Sequence, residues 1–198
     1  GAKMRKARLD RATLIGANFT DADLTGATLL RPNNFSEMSD AVAREAPLFA
    51  NAKLISANLN GRFDAVDFHG ADLTGAFLGP RDPREEVLIT PMMELRGADF
   101  TGATMRGAEL ALNALELAKF VGADLTSANL RGARLGGADF TRAQLAGANF
   151  TGATLQSTVF RDTLGIERAV GLTSETAGPP GDLTAGRASN RPNPGAIR

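Results

Sequence analysis

The only imidazole in the chain, His69, lies two residues after Asp67, and an acid beside a histidine is the minimum arrangement for general base catalysis. Both flank Phe68 and are expected to face water, where nothing would hold a substrate against them. Ser, His and Asp all occur, yet no G-x-S-x-G elbow marks a nucleophile. No G-x-x-x-x-G-K-[ST] loop offers a phosphate cradle. The acids Asp99 and Asp139 bracket Lys119 at twenty-residue spacing, which suits an ion-pair ladder better than a metal site. With no Cys, thiolate chemistry, disulfides and cysteine-ligated metals are excluded, and one His is too few for schemes that need two. The reading is a non-enzymatic chain with no catalytic residues, no metal and no cofactor.

Composition narrows the partners. Across 198 residues, 22 Lys and Arg balance 22 Asp and Glu, for a formal net charge of +0. Bulk electrostatics therefore nominate neither nucleic acid nor a membrane surface, and no direct nucleic-acid binding is expected. No apolar run approaches the roughly 18 residues of a membrane helix, so a cytoplasmic location is expected. The 22 Gly and 6% aromatic content, without Tyr or Trp, would starve an ordinary globular core.

A five-residue period supplies the missing architecture. From Met93 to Asp162 the chain gives fourteen unbroken pentads, each centred on Leu, Phe or Met and usually with Ala two residues before the centre. Five more run from Ala7, centred on Leu9 to Leu29, and seven from Pro47, centred on Phe49, Leu54, Leu59, Phe63, Phe68, Leu73 and Leu78. Neither the helical nor the strand period fits. If each pentad is one short extended side and one corner, the small and large residues both point inward, and four sides close a square coil of twenty residues. Gly after the centre-plus-one residue suits a corner that needs positive φ. Residues twenty apart then stack, which predicts one core ladder of Phe100, Phe120, Phe140 and Phe160 and another of Leu95, Leu115, Leu135 and Leu155.

The segments ADLTG at Ala71 to Gly75 and ANFTG at Ala148 to Gly152 resemble the A(D/N)Lxx pattern of the pentapeptide-repeat family. The resemblance implies an all-β fold, a right-handed quadrilateral parallel β-helix, and a scaffold whose activity lies in its surfaces and loops. It also implies an alternative. Some family members imitate B-form DNA, bind DNA gyrase or topoisomerase, and protect it from quinolone-type inhibitors. That role demands an acidic surface, and the fourteen-pentad block carries seven acids against seven bases. Acidic excess lies in the middle of the chain, near Asp64, Asp67, Asp72, Asp82, Glu85 and Glu86.

The organisation expected is a single β-helix over residues 7–162, a C-terminal cap over 163–172 and an irregular tail over 173–198. Two insertions interrupt the coil. In residues 30–46, Pro32 is expected to stop the coil and Ser36 to cap a short α-helix carrying Met38 and Val42. In residues 79–92, three prolines and the knot Arg81, Asp82, Arg84, Glu85 and Glu86 suggest a projecting loop, and with Asp64, Asp67 and Asp72 these form a candidate partner-binding set. Leu59 and Phe63 are four apart, so the coil must tighten near Gly61. The segment AELALNALELAKF at 108–120 has helical propensity, but the five-register survives it. Leu112 and Leu117 then point outward as a candidate dimer or partner patch. Lys3, Arg5, Lys6 and Arg8 are expected to guard the N-terminal edge, and Leu164, Ile166, Val170 and Leu172 to fold over the last coil. The function expected is a scaffold, monomer or homodimer, engaging a protein partner through its faces and loops.

Overall fold

Two of every five residues are apolar, and the computed structural model, which describes residues 1–34, 46–79 and 93–172, turns both inward. In the pentad Ala98 to Gly102, Ala98 and Phe100 are buried while Asp99 sits between them on the outside. This is the alternation of a short extended segment. Between regular coils the N–H of the centre residue donates across to the next coil, as Phe100 does to the Lys119 carbonyl at 2.7 Å, and the residue before the centre donates back, as Asp99 does to Val66 at 3.0 Å. The corner is closed by the next small residue, whose N–H donates to the preceding centre carbonyl, as Ala103 does to Phe100 at 3.0 Å.

Every such pairing is parallel, and coils follow one another at twenty residues wherever the pentads are unbroken. The result is a β-helix whose coils carry four columns of paired residues. The first runs Lys3, Asp23, Lys53, Asp72, Thr104, Asp124, Gln144 and Leu164. The second begins at Arg8 and includes three longer strands, β1 (Thr28–Leu30), β2 (Asn58–Asn60) and β3 (Phe77–Leu78), before continuing through Glu109, Asn129, Asn149 and Val170. The third pairs Thr13 with Asn33, then Arg62 with Glu94, Ala114, Arg134 and Thr154. The fourth runs Asn18, Leu48, Asp67, Asp99, Lys119, Asp139 and Val159.

The interior is a set of stacked side chains. Phe100, Phe120, Phe140 and Phe160 lie face to face at 4.6–5.2 Å, and the stack continues upward through Phe68, Phe49 and Phe19. Leu95, Leu115 and Leu135 are buried in the neighbouring column, and Leu155 packs against them from the last coil, partly buried. The segment 108–120 is coil throughout, not helix.

Irregularities are absorbed locally. Leu48 pairs with Asp67 only 19 residues on, and the missing residue is taken up at Gly61, whose φ of 141° is open to glycine alone. Pro32 does not stop the coil. It is buried in the slot Ala normally fills, Asn33 pairs with Thr13, and Asn34 occupies a centre position, because the N–H of that slot makes only the local corner bond, so a proline there forfeits one corner bond and leaves the inter-coil ladder intact. The first insertion thus begins after Asn34, and the helix expected near Ser36 falls largely outside the described residues. The coil also starts earlier than Ala7, since Lys3 already pairs with Asp23.

At the far end the expected cap is divided. Ile166 and Leu172 pack against the core, Ile166 from a 3-10 turn (Ile166–Arg168), but Leu164 and Val170 occupy outward column positions and are 58% and 55% exposed. The five-register places the residue before each centre outside, so neither can fold over the end. The tail at 173–198 lies outside the described residues.

Candidate interaction surface

Column geometry decides which surface residues can act together. Asp64 lies on the third column's side, Asp67 on the fourth column and Asp72 on the first, so these acids do not form one face. Asp67 and Asp72 are engaged in their own corners: Asp67 Oδ1 accepts the His69 N–H at 2.9 Å, and Asp72 Oδ1 accepts both the N–H and the hydroxyl of Thr74. His69 Nδ1 stands 3.9 Å from Asp67, and both side chains are exposed. Arg81, Asp82, Arg84, Glu85 and Glu86 lie outside the described residues.

Asp64 must be removed from the candidate docking set. It is buried, its Oδ2 accepts the Arg62 Nε–H at 3.0 Å and its Oδ1 accepts the Arg96 backbone N–H at 2.9 Å. From there an ion network runs down the third column: Arg62 and Arg96 both approach Glu94, Arg96 approaches Glu116 at 3.7 Å, and Arg134 approaches Glu116 at 2.9 Å. This network went unread in the sequence. Its signal was present in the regular block, where Arg96 precedes Glu116 by one coil and Glu94 precedes Arg134 by two.

Charges alternate elsewhere too. The first column opens Lys3, Asp23, Lys53, Asp72, and on the fourth Lys119 Nζ lies 3.5 Å from Asp99. Burial would raise the Asp99 carboxyl, but hydrogen bonds from Thr101 and the Lys119 ammonium outweigh it and hold it below the usual range. Asp124 behaves alike, with burial overcome by Thr126 and the Arg106 guanidinium. Among the described residues no column is acidic from end to end, no group of His and acids has the makings of a metal site, and no helix is long and apolar enough to cross a membrane.

Leu112 and Leu117 stand apart from this charge pattern. They occupy successive corners of one coil, on either side of the third column, and are 40% and 68% exposed. Both have φ of 62°, the left-handed conformation that Gly fills at about half of the corners and polar residues or Ala at the others. Their side chains lie over the next coil's glycines: a Cβ on Gly132 would fall 2.6 Å from Leu112 Cδ2, and one on Gly137 2.7 Å from Leu117 Cδ2. Between the leucines lie Ala114 and the Glu116–Arg134 pair. The arrangement is a low, charge-compensated face edged by two apolar ridges.

Comparison with known proteins agrees with this geometry. The model of pentapeptide repeats matches in eight copies, over residues 1–29, 94–132 and 118–156, the segments that avoid both insertions. No curated protein sequence matches the chain. Among solved structures, QnrB1 in a trypsin-treated form, described as a plasmid-mediated fluoroquinolone resistance protein, aligns with a TM-score of 0.50 at 19% identity over 88% of this chain and 84% of that one. The pentapeptide-repeat protein Rfr23 from the cyanobacterium Cyanothece 51142 aligns at 0.41 and 19% identity, covering 82% of this chain and 90% of its own. With the pentad register, the stacked core and the repeat matches together, residues 1–29 and 94–156 are pentapeptide repeats.

Proposed function

We propose that the chain is a non-enzymatic cytoplasmic scaffold, a right-handed four-sided coil that presents its third face to a protein partner. The observation that carries this reading is the Leu112 and Leu117 pair. A branched side chain in the left-handed region costs of order 1 kcal/mol or more, and leaving it exposed recovers little of that. The other non-Gly residues that take this conformation among the described residues are polar, charged or Ala, so two exposed leucines there are explained by what they touch from outside. The neutralised charges between them fit an apolar partner surface with few charges.

The competing reading, a DNA mimic that binds gyrase or topoisomerase, draws on the likeness in fold to a fluoroquinolone resistance protein. It needs a continuous acidic stripe, and the alternation of Lys3, Asp23, Lys53 and Asp72 along one column favours the scaffold instead. A photo-crosslinking amino acid at position 116, between the ridges, tests the two readings in cells. The scaffold reading expects one protein captured and lost in the Leu112→Arg, Leu117→Arg double variant, with gyrase supercoiling unaffected by micromolar protein. Protection of gyrase from a quinolone that survives the double variant would overturn it.

A further inference from the structure

The third column is neutral in an ordered way. Its outward residues run Arg62, Glu94, Ala114, Arg134 and Thr154, so an acid stands one coil before Ala114 and a base one coil after it. Both are reachable, with 35% of the Glu94 side chain and 39% of the Arg134 side chain exposed. Ala114 itself is buried and adds nothing that protrudes. Leu112 and Leu117 stand on the same coil as Ala114, one at each edge of the face. The face is thus centred on one coil, with its apolar ridges on that coil and opposite charges placed evenly about it.

Such a pattern complements itself. A two-fold axis along the strand at Ala114 brings a second copy face to face with its coil order reversed, and every pairing across the axis then occurs twice. A residue one coil before Ala114 faces one that lies one coil after it in the other copy. Glu94 faces Arg134, Arg134 faces Glu94, Leu112 faces Leu112 and Leu117 faces Leu117. Glu116 meets its own counterpart, but each arrives neutralised by Arg96 and Arg134 of its own chain. Shape agrees at the Leu117 edge. Leu117 leans over Gly137 of its own chain, so across the axis it leans toward Gly97, a corner where a Cβ would meet nothing within 4 Å. Charge disfavours the other registers. Two copies with the same coil order set Glu94 on Glu94 and Arg134 on Arg134. Sliding the reversed pair by one coil sets Arg134 on Arg62 in one direction and leaves Glu94 opposite Thr154 in the other.

We propose, resting on the reading of the third face as the docking surface, that its partner is a second copy of this chain, held as an antiparallel dimer about Ala114. Contact between the leucine ridges supplies the attraction, and the two Glu94–Arg134 pairs fix the register. The protein captured at position 116 is then the chain itself.

Sedimentation equilibrium of the full chain tests this. The mass is expected to reach twice 20.7 kDa as concentration rises and to stop there. Glu94→Arg and Arg134→Glu, each alone, set like charges together twice per dimer, and each is expected to weaken association about tenfold or more. An equimolar mixture of the two variants is expected to recover the dimer, because each supplies the charge the other lacks, whereas damage within one chain is not repaired by mixing. If either variant misfolds by circular dichroism, Leu117→Cys takes its place. The chain has no other Cys, so a short bismaleimide is expected to join two copies through position 117, while Ser157→Cys, two coils along the same corner, stays single. A chain that remains monomeric at millimolar concentration overturns the dimer, and so does a dimer that mixing fails to restore or that links through position 157. A monomeric chain whose position 116 captures a different protein loses the second copy as occupant but keeps the docking face. A dimer that survives the Leu112→Arg, Leu117→Arg double variant loses both.

Discussion

The block from Met93 onward and the segments before Gly79 share one fold but hold it by different means. In the later block each coil repeats the last, and stacked apolar side chains with regular inter-coil bonds suffice. Among the earlier coils the pattern is interrupted by two insertions and one deletion, and all three lie at the borders of the third column: after Asn34, at Gly61, and between Gly79 and Met93. Polar groups gather there. Asn34 stands in a centre slot and donates its side-chain amide to the Arg62 carbonyl at 2.6 Å. Asn113, wholly buried in a slot that usually holds Ala, donates to the Leu78 carbonyl at 2.6 Å, the last centre before the second insertion. The Arg62, Asp64, Glu94 and Arg96 cluster binds the coils on both sides of that insertion. Breaks in a repeat are therefore held by specific hydrogen bonds, and uninterrupted repeat by packing.

The contrast can be broken at its strongest point first. Phe120→Ala, in the middle of the ring stack, is expected to lower unfolding free energy by about 3–5 kcal/mol in urea titration. A loss under about 1 kcal/mol would mean the stack is not what carries the regular block. Asn113→Ala removes the amide that serves the Leu78 carbonyl, and about 1–3 kcal/mol is expected. Hydrogen exchange should locate that loss at residues 76–79. Uniform loss across all coils would remove the distinction between the two regions. Asp64→Asn keeps an acceptor for the Arg96 N–H but discharges the partner of a half-exposed arginine, and about 1 kcal/mol is expected, diminishing in 1 M salt.

Acid gives a smaller effect per group, shared by both regions. For Asp23 a hydrogen bond from Thr25 is the main cause of a lowered carboxyl, while for Asp10, Asp99 and Asp124 burial is overcome by hydrogen bonds and neighbouring cations. A folded carboxyl below its unfolded value of about 3.9 contributes stability that is complete above that pH and is lost as pH falls through the folded value. Melting midpoints should accordingly be flat from pH 7 to 5 and decline below about pH 4. Asp99→Asn with Asp124→Asn should shrink the decline, and an unchanged decline would refute their share in it. Smallest of all, Leu117→Arg is expected to alter stability by no more than about 0.5 kcal/mol, since the side chain is mostly in water.

Much of this was legible in the residues. The period of five located the core slots from 93 to 162, and with them the outward Leu112 and Leu117, despite the helical propensity around them. The upper half of the ring stack was not legible, because Phe19, Phe49, Phe68 and Phe100 are separated by spacings that insertions and a deletion have altered. Pro32 misled because a residue known for ending elements can also fill a slot whose N–H makes no bond between coils. Asp64 misled because an acid in an outward register position became buried under two arginines supplied from different coils. Asn34 and Asn113 looked like mere departures from the pattern, since what they bond becomes visible only when the coil is closed.

The ring stack bears on how such chains vary in length. Phe68 and Phe100 are 5.1 Å apart and within 3° of parallel, as Phe100 and Phe120 are at 5.1 Å and 6°, although the first lap takes 32 residues and the second 20. Closing the longer lap costs only about 0.4 kcal/mol more in loop entropy on a logarithmic scale. A corner bordering the third column is thus a splice point at which residues can be gained or lost almost without thermodynamic consequence, while the ring spacing beneath it stays fixed.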